Sequence, residues 1–323
     1  MILGQKNAIE QFTSAWATRK PHHAWLLAGP KGVGKASFAV AAARRVLAEA
    51  AGPAFDLPGI DAPSDHPIVK LIDAGSHPDM RRLERLMSEK TGNLVRNISV
   101  DQVRGLGDFM SLTPALSPWR IVIIDSVDEL EASGANALLK MLEEPPANTL
   151  YFLISHAPGR LLPTIRSRCR RLQFRPLKDD AMASVLEVKA PHISNPERQR
   201  IVSMSFGSAG RGLAFADLEL AKLEDAALAI LRQGDPTNAR RSQLAVELGR
   251  KGAADRYSAF LELAPSLIAR EARQLEGAAR ERALRAYEQT RELSALAPRV
   301  SLDPSATVFQ IGGFLAEVAP PLS

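Results

Sequence analysis

The residues with the clearest chemical signature form a glycine-rich loop. Positions 29–35 read GPKGVGK, which matches the spacing G-x-x-x-x-G-K with Gly29, Gly32 and Gly34 followed by Lys35. Glycines let backbone N–H groups curl around a phosphate, the start of the next helix adds positive potential, and the lysine supplies a point charge. An apolar run precedes the loop and an alanine-rich segment follows it, which is the strand–loop–helix context that such a loop requires. The sequence therefore predicts binding of nucleotide phosphates.

The residue after the lysine departs from the pattern of an active nucleotide hydrolase. The pattern continues with a serine or threonine whose hydroxyl holds Mg²⁺, and this sequence has Ala36 there. Ser37 follows, but one position further along a helix its side chain points in another direction. We therefore expect ATP or ADP to be bound without turnover. The alternative is a glycine turn before a helix that binds no ligand.

A carboxylate stands where a second part of such a site would lie. Four apolar residues run into Asp125, which predicts a buried strand with its acid at the carboxyl end, where open α/β sheets bind ligands. Hydrolysis also needs a residue that orients the attacking water, usually a glutamate directly after this aspartate, and Ser126 occupies that position. Asp128 and Glu129 follow, but we expect both to lie beyond the strand end. With Ala36, two chemically linked positions lack the residues that turnover requires.

An arginine at the end of a short polar segment is the third candidate. Residues 160–169 end in Ser167, Arg168 and Cys169. A guanidinium is always charged and presents a planar fork of donors that suits phosphate oxygens. Considered alone, Arg168 is better interpreted as a surface residue that caps a helix C-terminus or pairs with a local acid.

The elements that would position these residues alternate between strand and helix, which indicates a doubly wound α/β domain. Buried strands are predicted at residues 24–28, 121–124 and 151–154, and a first helix at 5–18. Ser99 and Gln102 form a capping box for a helix to about Met110, and Ser133 is expected to cap the helix that Pro145 ends.

Other stretches are less specific. Residues 51–80 contain five prolines and are predicted to form a long loop, and their histidines are expected to be solvated rather than metal-bound. A cationic cluster at Arg81, Arg82, Arg85 and Lys90 is expected on a solvated helix face, with contact to phosphates as the alternative. Residues 223–318 have the pattern of long helices, with a break near Pro265.

Composition limits the class of protein. The chain has 323 residues, enough for two or three domains, and its net charge of +5 permits a polyanion such as DNA as partner. The single cysteine excludes an internal disulfide and a thiolate zinc cage. No apolar run reaches the ~18 residues of a membrane span, and the N-terminus lacks a secretory pattern. We therefore expect a cytoplasmic protein without zinc.

An ordered set of motifs resembles one family. The segments are HHAWLLAGPKGVGKAS (22–37), AGSHPDM (74–80), ISVDQVRGL (98–106), WRIVIID (119–125), NALLKMLEEPP (136–146), LLPTIRSRC (161–169) and GSAGRGL (207–213). Together they resemble the clamp-loader subunits of the AAA+ proteins, and among these the delta prime subunits of bacterial DNA polymerase III. They span about the first two-thirds of the chain. The four-cysteine zinc module that many members carry is absent here.

The resemblance implies a role for each matching residue. Gly29, Gly32, Gly34 and Lys35 correspond to the Walker A loop, and Asp125 to the Walker B acid. Ser155 or His156 falls at the family's first sensor, and Arg211 matches its second sensor. Arg168 corresponds to an arginine that acts in trans, in the ATP site of an adjacent ATPase subunit.

The implied assembly is a hetero-oligomeric ring with tau/gamma-type ATPase subunits and the delta subunit, which loads the sliding clamp on primed DNA. The chain would be an accessory subunit of the polymerase holoenzyme without turnover of its own. The implied domains are an AAA+ P-loop domain at 1–176, a small helical lid at 177–222 and a helical collar at 223–323. The alternatives are an active clamp-loader ATPase subunit, or a DNA-binding scaffold without a nucleotide role.

Overall fold

The chain folds into two compact units. The computed structural model describes residues 2–87, 94–218 and 220–320. The first unit comprises Met1–Val188 with Ser205–Arg211, and the second comprises Lys189–Met204 with Gly212–Ser323. The chain therefore crosses between the units more than once near residues 189–211.

Within the described residues, a five-stranded parallel sheet forms the centre of the first unit. Its strands are β1 (Ala24–Ala28), β2 (Met80–Glu84), β3 (Arg120–Asp125), β4 (Thr149–Ser155) and β5 (Arg170–Gln173), in the order β2-β3-β4-β1-β5. Ala28 pairs with Ser155, and Asp125 pairs with Ile154. The carboxyl ends of β1, β3 and β4 therefore meet at one edge of the sheet.

Helices cover both faces of this sheet. The helices of the first unit, among the described residues, are α1 (Lys6–Ala17), α2 (Lys35–Ala51), α3 (Pro67–Asp73), α4 (Val100–Ser111), α5 (Ala132–Glu143), α6 (Pro163–Ser167) and α7 (Asp179–Lys189). Residues of α1, α2 and α3 share a buried cluster with Trp25 and Phe152. Residues of α4, α5 and α6 share a second cluster with Leu26 and Leu153. Successive side chains of a strand point to opposite faces, so these two clusters are the two faces of one sheet. The predicted α/β class is confirmed.

Several predicted elements are confirmed. The strands predicted at 24–28, 121–124 and 151–154 correspond to β1, β3 and β4, and the first predicted helix corresponds to α1. The Ser99 side chain accepts from the Gln102 N–H while the Gln102 side chain accepts from the Ser99 N–H, so the capping box is present.

Other predictions were wrong. α5 begins at Ala132 after Glu131, without a side-chain cap, so Ser133 lies inside the helix. The proline-rich segment contains α3, because Pro67 stands at a helix start, where its missing N–H costs nothing. Arg81 and Arg82 lie on β2 rather than on a helix. Lys90 lies outside the described residues.

The turn before β3 is held by one buried carboxylate. Asp79 accepts hydrogen bonds from the backbone N–H groups of Ala115, Leu116 and Ser117 at 2.6, 2.7 and 2.9 Å. The N–H of Asp79 itself donates to Nδ1 of His77. Charged acceptors make the stronger hydrogen bonds, so Asp79 holds the turn that leads into β3.

The second unit consists of helices in the part of the chain that the structure describes. They are α8 (Asn195–Ser205), α9 (Ala209–Asp217), α10 (Leu220–Gln233), α11 (Ala239–Leu248), α12 (Ala254–Ala272), α13 (Gly277–Val300) and α14 (Pro304–Val318); the last residue of α8 and the first three of α9 fall in the first unit. Phe260, Ile268 and Ile311 are buried in this unit. The predicted break at Pro265 was wrong, because α12 continues through it. Over the described ranges, every helix is too short or too polar to cross a bilayer.

Candidate functional site

The phosphate loop joins β1 to α2. Gly34 precedes the helix with φ of +96°, a left-handed conformation that glycine adopts without strain. Lys35 is the first helical residue and only 3% exposed, and its Nζ donates to the carbonyl oxygens of Gly29 and Pro30 at 2.6 and 2.5 Å. Burial lowers the pKa of Lys35 to about 8, although the carboxylates of Asp128 and Asp125 oppose this shift. The lysine thus lies inside the loop, held by groups that a phosphate would replace.

Asp128 lies beyond the end of β3, as expected, but its carboxylate is nevertheless a central group of the site. Its Oδ1 accepts from the Ser155 hydroxyl at 2.7 Å. Its Oδ2 accepts from the Ser126 hydroxyl at 2.8 Å and from the His156 N–H at 2.5 Å. A short 3₁₀ turn at Val127–Glu129 bends the chain back after β3 and makes these contacts possible. Asp128 therefore ties the end of β3 to the end of β4.

The two sensor candidates at the end of β4 differ in their surroundings. Ser155 is fully buried and its hydroxyl is bonded to Asp128. His156 has a buried Nδ1 without a hydrogen-bond partner among the described residues. Burial lowers the pKa of His156, and the charges of Lys35 and Lys31 lower it further against the opposing carboxylates. A neutral imidazole with an unused nitrogen therefore lies near the loop.

Asp125 does not have a free carboxylate. Its Oδ2 accepts from Arg82 on the neighbouring strand β2 at 2.9 Å. A Mg²⁺ ion in a site of this kind is held by the loop hydroxyl and by this acid. Here Ala36 has no hydroxyl and the acid is paired with a guanidinium. The residues present therefore do not fit Mg²⁺, while the loop glycines, the helix start and Lys35 do fit nucleotide phosphates.

A later segment of the first unit packs against the loop. Ser208 Oγ donates to the Lys31 carbonyl at 3.1 Å, and the Gly210 N–H donates to the Gly32 carbonyl at 2.9 Å. Gly32 has φ of +79°, and a Cβ there would collide with Ser208 Oγ, so only glycine fits. Arg211 is exposed on the same segment, and its N–H donates to Ser208 Oγ. The second-sensor candidate is thus carried on a segment that touches the loop.

A glutamine holds the other side of the loop. The buried side chain of Gln5 donates to the carbonyl oxygens of Val33 at 3.1 Å and Arg175 at 2.8 Å. Its Oε1 accepts from the Arg175 N–H at 3.4 Å. Gln5 therefore links the loop to the chain that follows β5. The sequence carried no signal for this role except a glutamine at the start of the first predicted helix.

Arg168 lies apart from these residues. It follows α6, and its guanidinium donates to the Thr164 carbonyl at 2.9 Å and pairs with Glu143 at the end of α5 at 2.7 Å. About a third of its side chain (34%) is exposed. In the described chain Arg168 thus caps a helix and pairs with a local acid, both of which the sequence left open. Cys169 beside it is partly buried, and burial raises the pKa of its thiol to about 12.

The structure brings Lys35, Asp125 and Ser155 to one edge of the sheet, with Arg211 on the segment that packs there, and leaves Arg168 elsewhere on the unit. Sequence reasoning missed Asp128, Gln5 and Arg82. For Asp128 the available signal was a carboxylate three residues after the strand-ending aspartate. No group of three or more His, Cys, Asp or Glu able to hold a metal occurs in the described ranges.

A parallel sheet in the order β2-β3-β4-β1-β5, with a phosphate loop after β1 and an acid at the end of β3, defines a P-loop domain of the AAA+ class. A family model described as "DNA polymerase III, delta subunit" matches residues 4–178, which is more than half of the chain. The chain belongs to this family, that of the delta prime subunits of the bacterial DNA polymerase III clamp loader.

Individual relatives agree with this assignment. The delta prime subunit of Pseudomonas aeruginosa is 41% identical over 147 residues, covering 46% of this chain and 41% of that protein. The delta prime subunit of Bacillus subtilis is 34% identical over 175 residues, covering 53% and 48%. The tau subunit of Bacillus subtilis is 27% identical over 277 residues, covering 81% and 45%. The chain thus spans less than half the length of each of these relatives.

A solved structure supports the fold. The gamma subunit-related protein of Thermotoga maritima has a TM-score of 0.50 with this chain at 17% identity, over 96% of this chain and 99% of that one. At this identity the likeness concerns the fold alone.

Proposed function

We propose that this chain is a non-hydrolysing subunit of the replicative clamp loader that supplies Arg168 to the ATP site of a neighbouring subunit. The observation that carries the proposal is a contrast within one unit. Its own phosphate site lacks the groups for turnover, while a permanently charged guanidinium in the Ser-Arg-Cys motif stays partly exposed at the end of α6. An arginine supplied in trans stabilises charge on the transferred phosphoryl group and changes rates by about 10³–10⁵ in such systems.

Three features support the absence of turnover at the chain's own site. Ala36 provides no hydroxyl for a metal ion, and Asp125 is paired with Arg82. Asp128 is the nearest acid to replace the missing glutamate, but it already accepts three hydrogen bonds of the roughly four that a carboxylate offers. A bound nucleotide would therefore persist as a structural ligand.

The ion pair of Arg168 with Glu143 is compatible with a role in trans. Both side chains are partly exposed, and pairs of this kind contribute only about 0–1 kcal/mol. A phosphate group bearing several negative charges competes well against a single exposed carboxylate. Arg168 would leave Glu143 when a neighbour presents its nucleotide.

The partners follow from the names of the relatives. Proteins similar to this chain are named tau, gamma and delta prime subunits of DNA polymerase III. The proposed assembly is a ring with tau/gamma-type ATPase subunits and the delta subunit, acting in the cytoplasm on the sliding clamp and primed DNA. Residues 177–222 would form the lid that carries Arg211, and residues 223–323 the collar. These roles extend the family assignment and are open to the test below.

The test is a reconstituted complex in which this chain alone is changed. Arg168→Ala should leave assembly intact and lower the ATPase and clamp-loading rates by at least about tenfold, because the neighbour's transition state loses a cation. The matched control is Arg166→Ala, an exposed arginine two residues earlier on α6, which should stay within about twofold of the parent.

Other outcomes would favour other functions. If the purified chain hydrolyses ATP and Lys35→Ala abolishes this, it is an active ATPase subunit. If Arg168→Ala changes nothing and no nucleotide binds, a scaffold role is favoured. Equal losses in Arg168→Ala and Arg166→Ala would indicate a general effect of surface charge.

A further inference from the structure

Arg82 places a fixed positive charge on the acid that would otherwise face a metal ion. It lies on β2, and Nη2 of its guanidinium is 2.9 Å from Asp125 Oδ2 and 2.9 Å from Glu84 Oε2. The Asp125 side chain is 19% exposed, so this pair is screened less than a fully exposed one. Glu84 holds the guanidinium from a second side.

The Arg82–Asp125 pair leaves a divalent cation with few ligands at the nucleotide site. Mg²⁺ dehydrates reluctantly and is bound through carboxylates and substrate phosphates in near-ideal octahedral geometry. At this site it would have to displace a paired guanidinium from Asp125 and would find no hydroxyl at Ala36. The phosphates still meet the loop N–H groups, the helix start and Lys35, none of which needs a metal.

We infer that this site binds its nucleotide without assistance from Mg²⁺, and that Arg82 is the residue that sets this preference. The inference rests on the nucleotide-binding part of the proposed function and is independent of the trans role of Arg168. Arg82 acts through Asp125 and is therefore a positioning residue.

The chain provides a matched control on the same strand. Arg81 precedes Arg82 and points to the other face, where its guanidinium lies 4.8 Å from the ring centre of Phe109. Replacing either arginine by glutamine removes one positive charge from β2, but only Arg82→Gln releases Asp125. Arg82→Lys keeps the charge beside Asp125 and serves as a second variant.

The experiment measures the Kd of a fluorescent ADP analogue for the full-length chain, with excess MgCl₂ and with EDTA. For the wild type, Arg81→Gln and Arg82→Lys, the Kd measured with MgCl₂ should agree with the Kd measured with EDTA within about twofold. Arg82→Gln should bind about tenfold more tightly with MgCl₂ than with EDTA, the scale of one charge-assisted hydrogen bond. In the double variant Ala36→Ser/Arg82→Gln, the ratio of the Kd with EDTA to the Kd with MgCl₂ should be larger still. Thermal unfolding checks that each variant is folded.

Three results would overturn the inference. The first is wild-type binding that MgCl₂ tightens tenfold or more. The second is an Arg82→Gln variant whose Kd is the same in both buffers. The third is no binding of the analogue under either condition, which would leave the Arg168 test in the assembled complex unaffected.

Discussion

Lys35 is a side chain at which burial and attraction act in opposite directions. Its ammonium group is almost fully buried, which lowers its pKa, while Asp128 and Asp125 attract a proton to it. The result is a pKa of about 8, so the free site changes charge just above neutral pH. His156 next to it also has a lowered pKa. The site is therefore less positive in mildly alkaline solution than its sequence indicates.

Nucleotide binding should consequently depend on pH. Bound phosphates raise the pKa of Lys35, so above pH 8 binding takes up a proton and affinity falls as pH rises. Below pH 8 the lysine is charged in both states and this dependence disappears. Calorimetric titration with ADP in buffers of different ionisation enthalpy, between pH 7 and 10, measures the proton uptake directly.

Two lysine-to-arginine changes test whether the pH dependence of nucleotide affinity comes from Lys35 or from any lysine of the loop. Lys35→Arg keeps a permanent charge and should abolish the dependence above pH 8, whereas Lys31→Arg should preserve it. An affinity that does not vary across this range in the wild type would contradict the role given to Lys35.

At the scale of elements, the ends of α5 and α6 place Arg168 beside Glu143. Glu143 is the last residue of α5, and Arg168 follows the last residue of α6. Both helices pack on the same face of the sheet through Leu142 and Ile165, so the acid and the arginine are held within reach of each other. In the proposed role, this pair would compete with the phosphate that Arg168 is to bind.

Removing the acid should release the arginine. In the reconstituted complex, Glu143→Gln should leave assembly unchanged and keep the ATPase rate equal to the parent or raise it by up to about fivefold, the range of an exposed ion pair. Steady-state ATPase assays with clamp and primed DNA measure this. Glu144→Gln, one residue further on, is the control, and a tenfold loss specific to Glu143→Gln would mean that the acid has a required role of its own.

At the scale of the whole molecule, tryptophan fluorescence reports on the first unit alone, whereas helical circular dichroism reports on the helices of both units. All three tryptophans of the chain, Trp16, Trp25 and Trp119, lie in the first unit. The second unit buries Glu224, which is 1% exposed and accepts from Arg270 at 2.9 Å. Arg200 lies 3.8 Å from the other oxygen of this carboxylate.

Arg270→Ala should therefore destabilise the second unit selectively. Leaving a buried carboxylate without its main partner costs about 3 kcal/mol. We expect the part of the helical circular-dichroism signal that comes from the second unit to be lost at a lower urea concentration, with little change in the tryptophan fluorescence transition. Arg273 is exposed after the end of α12, so Arg273→Ala should change the free energy of unfolding obtained from either signal by no more than about 0.5 kcal/mol. Parallel shifts of both signals would show that the two units unfold as one.

Much of the candidate site could be predicted because its signals are local. The glycine loop, Ala36 and the run ending at Asp125 depend on residues adjacent in sequence, and so does the capping box at Ser99. The assignment of Arg81 and Arg82 failed for a local reason as well, since a short edge strand of polar residues lacks the apolar alternation that identifies half-buried strands.

By itself, the amino-acid sequence determined the strands β1, β3 and β4, the phosphate loop with its missing hydroxyl, and the family motifs that contain Arg168. Only the tertiary structure decided how charges pair, because the partners are far apart in sequence. Arg82 meets Asp125 across two parallel strands, and Asp128 meets Ser155 only after a turn folds back. Hydrogen bonds and ion pairs act over a few ångströms, so which acids remain free for chemistry depends on where the strands bring their ends together.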